Sequence, residues 1–245
     1  MDNALYVGLS RQMTLRRELD IVANNIANAD TAGFKVENLL VSTAPMAPAR
    51  TQDGPKPVKF VLDTGVGRDF GQGGISATGA PLDLAIEGRG FFKVSTLEGE
   101  RYTRDGRFRL GDNGKLVNQA GQAVLDDSGG EIVLDAEKGA VNIATDGSIS
   151  QGSERVGKVG VAQFDALSAL EKTGDNLFRN ASNASPQPAT GTLIRQGALE
   201  GSNVNSITQI TQMMEVTRAY ESMAKMMDST AELSRRAIER MGRVQ

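Results

Sequence analysis

Apolar positions recur at three- and four-residue spacings at both ends of the chain and give way in between to short runs broken by Gly, Asp and Asn. In residues 1–29, Leu5, Leu9, Met13, Leu15, Leu19, Val22, Ala23 and Ile26 fall at helical spacing, the pattern of an amphipathic helix. Asp2 or Asn3 can cap its start, and Asn28-Ala29-Asp30-Thr31-Ala32-Gly33 supplies its stop. Residues 203–242 carry a broader stripe through Val204, Ile207, Ile210, Met213, Met214, Val216, Tyr220, Met223, Met227, Ala231, Leu233, Ile238 and Met241. Ser202 and Asn203 are its candidate N-caps, and no Gly or Pro interrupts the run before Gly242. At 1.5 Å per residue that helix is roughly 55–60 Å long, beyond the helix of an ordinary small domain.

The middle reads differently. Residues 42–57 are rich in Pro, Ala and polar side chains, which predicts an extended connector. From about 80 to 165, the runs Leu82–Ile86, Phe91–Thr96, Gly106–Leu110, Leu116–Asn118, Val124–Leu125, Ile132–Leu134, Val141–Ile143 and Val156–Phe164 read as strands. Asp105-Gly106, Asp112-Asn113-Gly114 and Asp146-Gly147 supply turns, because Gly and Asn tolerate positive φ. Residues 180–192 read as a loop. The division that follows is a terminal helical part (1–30 with 203–245), a connector (31–79), a central β-rich domain (80–195) and a lead-in to the last helix (196–202).

The ends pose a physical problem. Pairing the two helices covers one face of each and leaves the rest of the broad C-terminal stripe in water, and large contiguous apolar patches mark interfaces. Burying about ten such side chains is worth ~15–30 kcal/mol. Without that burial the N-terminal segment, rich in Asn and β-branched residues, is a marginal helix. The ends are therefore expected to be partly disordered in a free subunit and to fold on assembly; the competing reading is a two-helix hairpin packed on the β-domain. The candidate assembly residues are Leu5, Leu9, Leu19, Val22 and Ile26 at one end and Ile207, Ile210, Met214, Tyr220, Met227 and Ile238 at the other, each also able to serve as ordinary core. Asn24, Asn25 and Asn28 are candidates to satisfy backbone groups at the helix end or to bond across subunits. Met213, Met214, Met223, Met226, Met227 and Met241 concentrate in the last helix, and a Met stripe is adaptable packing before it is a cofactor site.

Composition narrows the chemistry. With 0 His and 0 Cys, Ser-His-Asp and Cys-His catalysis, imidazole- or thiolate-based zinc sites and disulfides are excluded. A net charge of −3 gives no nucleic-acid footprint. Gly71-Gln72-Gly73-Gly74 and Gly88-Arg89-Gly90 fall short of a dinucleotide fingerprint, and Asp126–Glu131 lacks calcium-loop spacing. No cofactor, metal or catalytic set is expected. The start Met1-Asp2-Asn3-Ala4-Leu5-Tyr6 lacks a basic stretch followed by an apolar one, so no cleavable signal is expected, and no apolar run approaches the roughly 20 residues of a membrane span.

Three blocks carry a family resemblance. Residues Asp20-Ile21-Val22-Ala23-Asn24-Asn25-Ile26-Ala27-Asn28-Ala29-Asp30-Thr31-Ala32-Gly33-Phe34-Lys35 form the first. The second is Pro81–Phe92 followed by Tyr102-Thr103-Arg104-Asp105-Gly106; the third is Gly197-Ala198-Leu199-Glu200-Gly201-Ser202-Asn203-Val204 with Arg218-Ala219-Tyr220-Glu221. Together they resemble the bacterial flagellar rod and hook family. The opening residues and the Leu199–Asn203 form are most similar to its proximal-rod branch, with the distal rod as the alternative; a hook protein usually carries an outer domain for which this chain has no room. The resemblance implies an α+β fold with long N- and C-terminal helices paired as a coiled coil, a central all-β domain and an extended connector. It further implies helical stacking into a torque-transmitting shaft spanning the periplasm. The implied partners are other rod proteins, copies of the same chain and the flagellar type III export apparatus, with export unfolded and without cleavage. A soluble binding module with coiled-coil ends is the reading from another class.

Overall fold

The computed structural model describes residues 2–43, 61–135, 137–182, 185–189 and 191–242; the side chains of 2–5, 234, 237 and 241 are not among those described. Residues 44–60 of the segment read as a connector, and the side chain of Leu5, lie outside the described residues. The chain divides into two compact units. One comprises residues 1–27, 37–69 and 205–245, the other residues 28–36 and 70–204.

In the first unit, helix α1 runs from Asp2 to Ala27 and helix α2 from Ser206 to Gly242. The N-cap of α2 is Asn205, whose Oδ1 accepts the Thr208 N–H at 3.1 Å; Ser202 and Asn203, the caps expected from sequence, lie outside the helix. The helices run antiparallel: Asn25 bonds Gln209, while Gly8 lies against Met223 and Met227. Strands β1 (Glu37–Thr43) and β2 (Val61–Arg68) pair antiparallel from Glu37↔Arg68 to Thr43↔Val61, with a bulge after Leu40. This hairpin joins α1 through Ser10, which donates to the Val61 carbonyl at 2.8 Å, and through Arg17 with Asp63 at 2.7 Å.

The expected fold class is thereby corrected. Among the described residues there are two α-helices, and the regular structure is otherwise mostly multi-stranded sheet. No free-standing coiled coil of two terminal helices forms. A coiled-coil helix buries a single narrow seam, whereas α1 buries two neighbouring rows, Leu15 with Val22 and Thr14 with Ile21 and Asn25. Two rows are what a helix needs when it packs against both a second helix and a β-hairpin. The hairpin was invisible to periodicity because its strands carry Gly65, Gly67 and Ser/Thr positions instead of a clean alternation.

The second unit is built from antiparallel strands. A six-stranded sheet runs in the order Leu170–Gly174, Leu177–Asn180, Gly99–Thr103, Phe91–Thr96, Val161–Gln163, Gln187–Pro188. A three-stranded sheet joins Glu154–Lys158, Ser148–Gln151 and Val141–Ile143. Short pairs complete it: Ile75–Ala77 with Ala198–Glu200, Leu84–Glu87 with Leu193–Gln196, and Arg109–Leu110 with Leu116–Val117. Side chains alternate faces along a strand, so the Phe91–Thr96 strand sends Phe92 and Val94 into one core, with Leu84, Phe108, Leu116 and Ile149, and Phe91 into another, with Tyr102, Phe164, Leu170 and Phe178. Edge-to-face ring contacts tighten both, Phe92 on Phe108 at 5.1 Å and Tyr102 on Phe164 at 4.7 Å.

Candidate assembly interface and the roots of the two helices

The candidate apolar residues divide sharply by exposure. On α1, Val22 is 1 % exposed and belongs to the unit's own packing, while Leu19 and Ile26 are half-buried and Leu9 is exposed. On α2, Tyr220 and Met227 are half-buried, Met227 lying against Gly8. Ile210, Met214 and Ile238 are exposed, and Ile207 is 79 % exposed. The assembly candidates do not include Tyr6 or Met13, the latter read only as part of the helical stripe; both flank Leu9 at helical spacing and complete an exposed apolar row on α1. The signal was present: Tyr6, Leu9 and Met13 repeat the spacing of Ile207, Ile210 and Met214.

Of the three asparagines, Asn25 is fully buried and bonds the main chain of Glu37 twice. Its Nδ2 donates to the Glu37 carbonyl at 2.8 Å, and its Oδ1 accepts the Glu37 N–H at 3.0 Å. Nδ2 also reaches Gln209 Oε1 at 3.0 Å. It therefore satisfies the backbone at the start of β1 and ties α1 to α2. Asn28 accepts from the Thr31 hydroxyl just past the helix end.

In the second unit, each of the three motif blocks contributes one charge to a buried cluster. Glu200 has a fully buried side chain whose Oε1 accepts from Lys35 Nζ at 2.5 Å and from the Gly73 N–H at 3.0 Å. Its Oε2 accepts from Arg104 Nη1 at 2.9 Å. Lys35 also donates to the Gly71 carbonyl at 2.8 Å, and Arg104 donates to the Gly88 carbonyl at 2.8 Å and stacks 5.2 Å from the Phe91 ring centre. Burial pulls the Arg104 guanidinium below the ordinary arginine range while Glu200 pulls it back up, and its buried Nε has no hydrogen-bond partner. Two glycines make this close approach possible. A Cβ on Gly33, which sits at φ +68°, would lie 2.4 Å from the Arg104 carbonyl carbon, and one on Gly73 would lie 2.1 Å from the Gly201 carbonyl oxygen. Nothing in the periodicity pointed to this cluster. The available signal was a Lys, an Arg and a Glu set among Gly and apolar residues.

Chemically, the cluster ties three distant segments of one chain together. Among the described residues there is no group of acidic side chains placed to hold a metal, and no helix is long and apolar enough to cross a membrane.

Comparison with known proteins agrees in every part of the chain. Residues 5–35 match the family "Flagella basal body rod protein", residues 85–151 the "Flagellar hook protein FlgE/F/G D1 domain" and residues 195–240 the "Flagellar basal body rod FlgEFG protein C-terminal". The flagellar basal-body rod protein FlgF of Caulobacter vibrioides is 61 % identical over 100 % of both chains, and that of Mesorhizobium japonicum 36 % over 99 % of both. The rod protein FlgG of the same Caulobacter strain is 32 % identical, with 94 % of this chain and 95 % of the relative covered. One organism thus holds both paralogues, and the identity to its FlgF is nearly double that to its FlgG. The chain belongs to the flagellar basal-body rod protein family and, within it, to the FlgF type, a structural subunit of the rod.

Proposed function

We propose that this rod subunit sits in the proximal rod and joins copies of itself and neighbouring rod proteins into a helical, torque-transmitting array through the exposed apolar rows of its terminal helices. The reading rests on one observation: Tyr6, Leu9 and Met13 on α1 and Ile207, Ile210 and Met214 on α2 are exposed in the single chain at helical spacing. Exposed apolar rows of this kind cost solubility unless a partner covers them. Contacts between unlike surfaces, which do not close on themselves, generate a helical array instead of a ring. The chain works as a structural part and not as an enzyme. It reaches the basal body by the flagellar type III route. Leu19, Ile26, Tyr220, Met227 and Ile238 extend the same surfaces, and Val22 supports them from beneath.

Ile210→Asp tests this. A charge in the exposed row leaves the β-rich unit folded, so circular dichroism and melting of the purified chain stay as in the wild type. In cells the variant fails to enter the basal body, and motility is lost. Normal rod completion and swimming with Ile210→Asp would overturn the reading.

A further inference from the structure

The two segments that lead out of α1 and into α2 enter the second unit on unequal terms. Residues 197–203 are built into the β framework. The Ala198–Glu200 strand pairs with Ile75–Ala77, Gly197 donates to the Asp83 carbonyl at 2.8 Å and Gly201 to the Gly74 carbonyl at 2.8 Å. Residues 28–36 form no strand. Their backbone bonds run largely to residues 197–203: Gly33 N–H to the Glu200 carbonyl at 2.8 Å, Val36 N–H to Asn203 Oδ1 at 2.8 Å, and Asn203 N–H to the Phe34 carbonyl at 3.4 Å. The charges repeat that order. Glu200 against Arg104 is a balanced pair without Lys35, whereas Lys35 beside Arg104 without Glu200 is two buried cations. Removing the shared partner of a buried ion cluster leaves charge uncompensated in a dry site, which costs far more than removing an outer member.

We propose that the Lys35–Glu200–Arg104 cluster is an ordered latch: the C-terminal root docks on the β framework first and creates the site for the N-terminal root, which is therefore the end that releases first. Opening of residues 28–36 alone leaves a charge-balanced Arg104–Glu200 pair in place. Opening of residues 197–203 removes at once the carboxylate and the backbone acceptor that hold Gly33 and Lys35. Other contacts hold the N-terminal root apart from the latch, among them the buried Phe34, the Lys172 ammonium 4.5 Å above its ring, Asn176 donating to the Ala32 carbonyl at 3.2 Å and Lys35 donating to the Gly71 carbonyl at 2.8 Å. They resist release without reversing its order. The inference concerns the second unit alone and is independent of how subunits contact one another.

Amide hydrogen exchange on the full chain tests the order, with Gly33 and Val36 reporting one root and Gly197 and Gly201 the other. In the wild type the first pair exchanges faster. Glu200→Gln speeds exchange at Gly33 and Val36 by roughly 100-fold or more, the scale of an uncompensated buried charge. Lys35→Met leaves Gly197 and Gly201 within about threefold of wild type, as expected for sites coupled in only one direction of opening. Should Glu200→Gln prevent folding, the double variant Lys35→Met/Glu200→Gln decides. Removing one of the two like charges that Glu200→Gln leaves together relieves their repulsion and returns protection at Gly197 and Gly201, so that Lys35→Met helps in one background and harms in the other. Equal deprotection of both roots by both single variants, or a double variant worse than Glu200→Gln alone, would overturn the latch.

Discussion

The two units spend their apolar residues in opposite ways. In the β-rich unit, Leu84, Phe92, Val94, Leu116, Val124 and Ile149 are each fully buried, and the aromatic rings of two adjoining cores interlock edge to face. In the helical unit, α2 runs 37 residues, yet the positions it buries among its described side chains are Gln209 and Val216. Ile207, Ile210, Met214, Met226, Leu233 and Ile238 stand in solvent. Burial of apolar area is the main favourable term in folding, so the β-rich unit holds most of what keeps a lone chain folded, and the helical unit leaves apolar rows exposed.

The largest expected effect tests the first half of that contrast. Phe92 is fully buried against Phe108, in the strand that feeds both cores. Phe92→Ala removes its ring and leaves a cavity, which should cost the β-rich unit ~3–5 kcal/mol in chemical denaturation. A loss below ~1 kcal/mol would mean that this core is loosely filled and that the two units do not differ as described. A smaller effect is expected at the root of α1. Gly33→Ala places a Cβ against the backbone of Arg104 at a φ of +68°. The left-handed conformation alone costs about 1–3 kcal/mol for a residue with a side chain. Melting of the purified variant reads this directly, and an unchanged midpoint would show that residues 28–36 are not seated as the structure has them.

How much of this was legible follows from what each pattern encodes. Both helices stand where the spacing placed them, and strands Phe91–Thr96 and Val141–Ile143 have the bounds read from sequence, because a run between turn residues is a local signal. The coiled coil was not a local signal. It came from the family likeness, and the periodicity of α1 could not reveal that Thr14 and Ile21 make up a second buried row beside Leu15 and Val22. The β1–β2 hairpin escaped for the same reason, its Gly65 and Gly67 breaking the alternation that marks a strand. At the candidate interface, residue type flagged Ile207 and Val22 alike, yet one is exposed and the other covered, since exposure depends on the neighbour and not on the spacing. The Lys35–Glu200–Arg104 cluster joins residues far apart in the chain, and single-sequence reading has no term for charges that meet only in the fold.

The smallest effect sharpens the second half of the contrast. If α2 owed its stability to its own surface, its charge pairs would have to supply it. Arg236 and Glu232 meet at 2.5 Å one turn apart, each with over three-fifths of its side chain in water. Such a pair gains little from Coulomb attraction in a high dielectric, loses rotamer freedom and is screened by salt. Glu232→Gln should therefore shift the helix by no more than ~0.3–0.5 kcal/mol, and that small difference should vanish in molar salt. Far-ultraviolet circular dichroism of the full chain at low and high ionic strength measures it. A cost above ~1 kcal/mol would mean that the outer face of α2 holds the helix unaided, and its apolar row would then no longer need a neighbour's surface to account for its length.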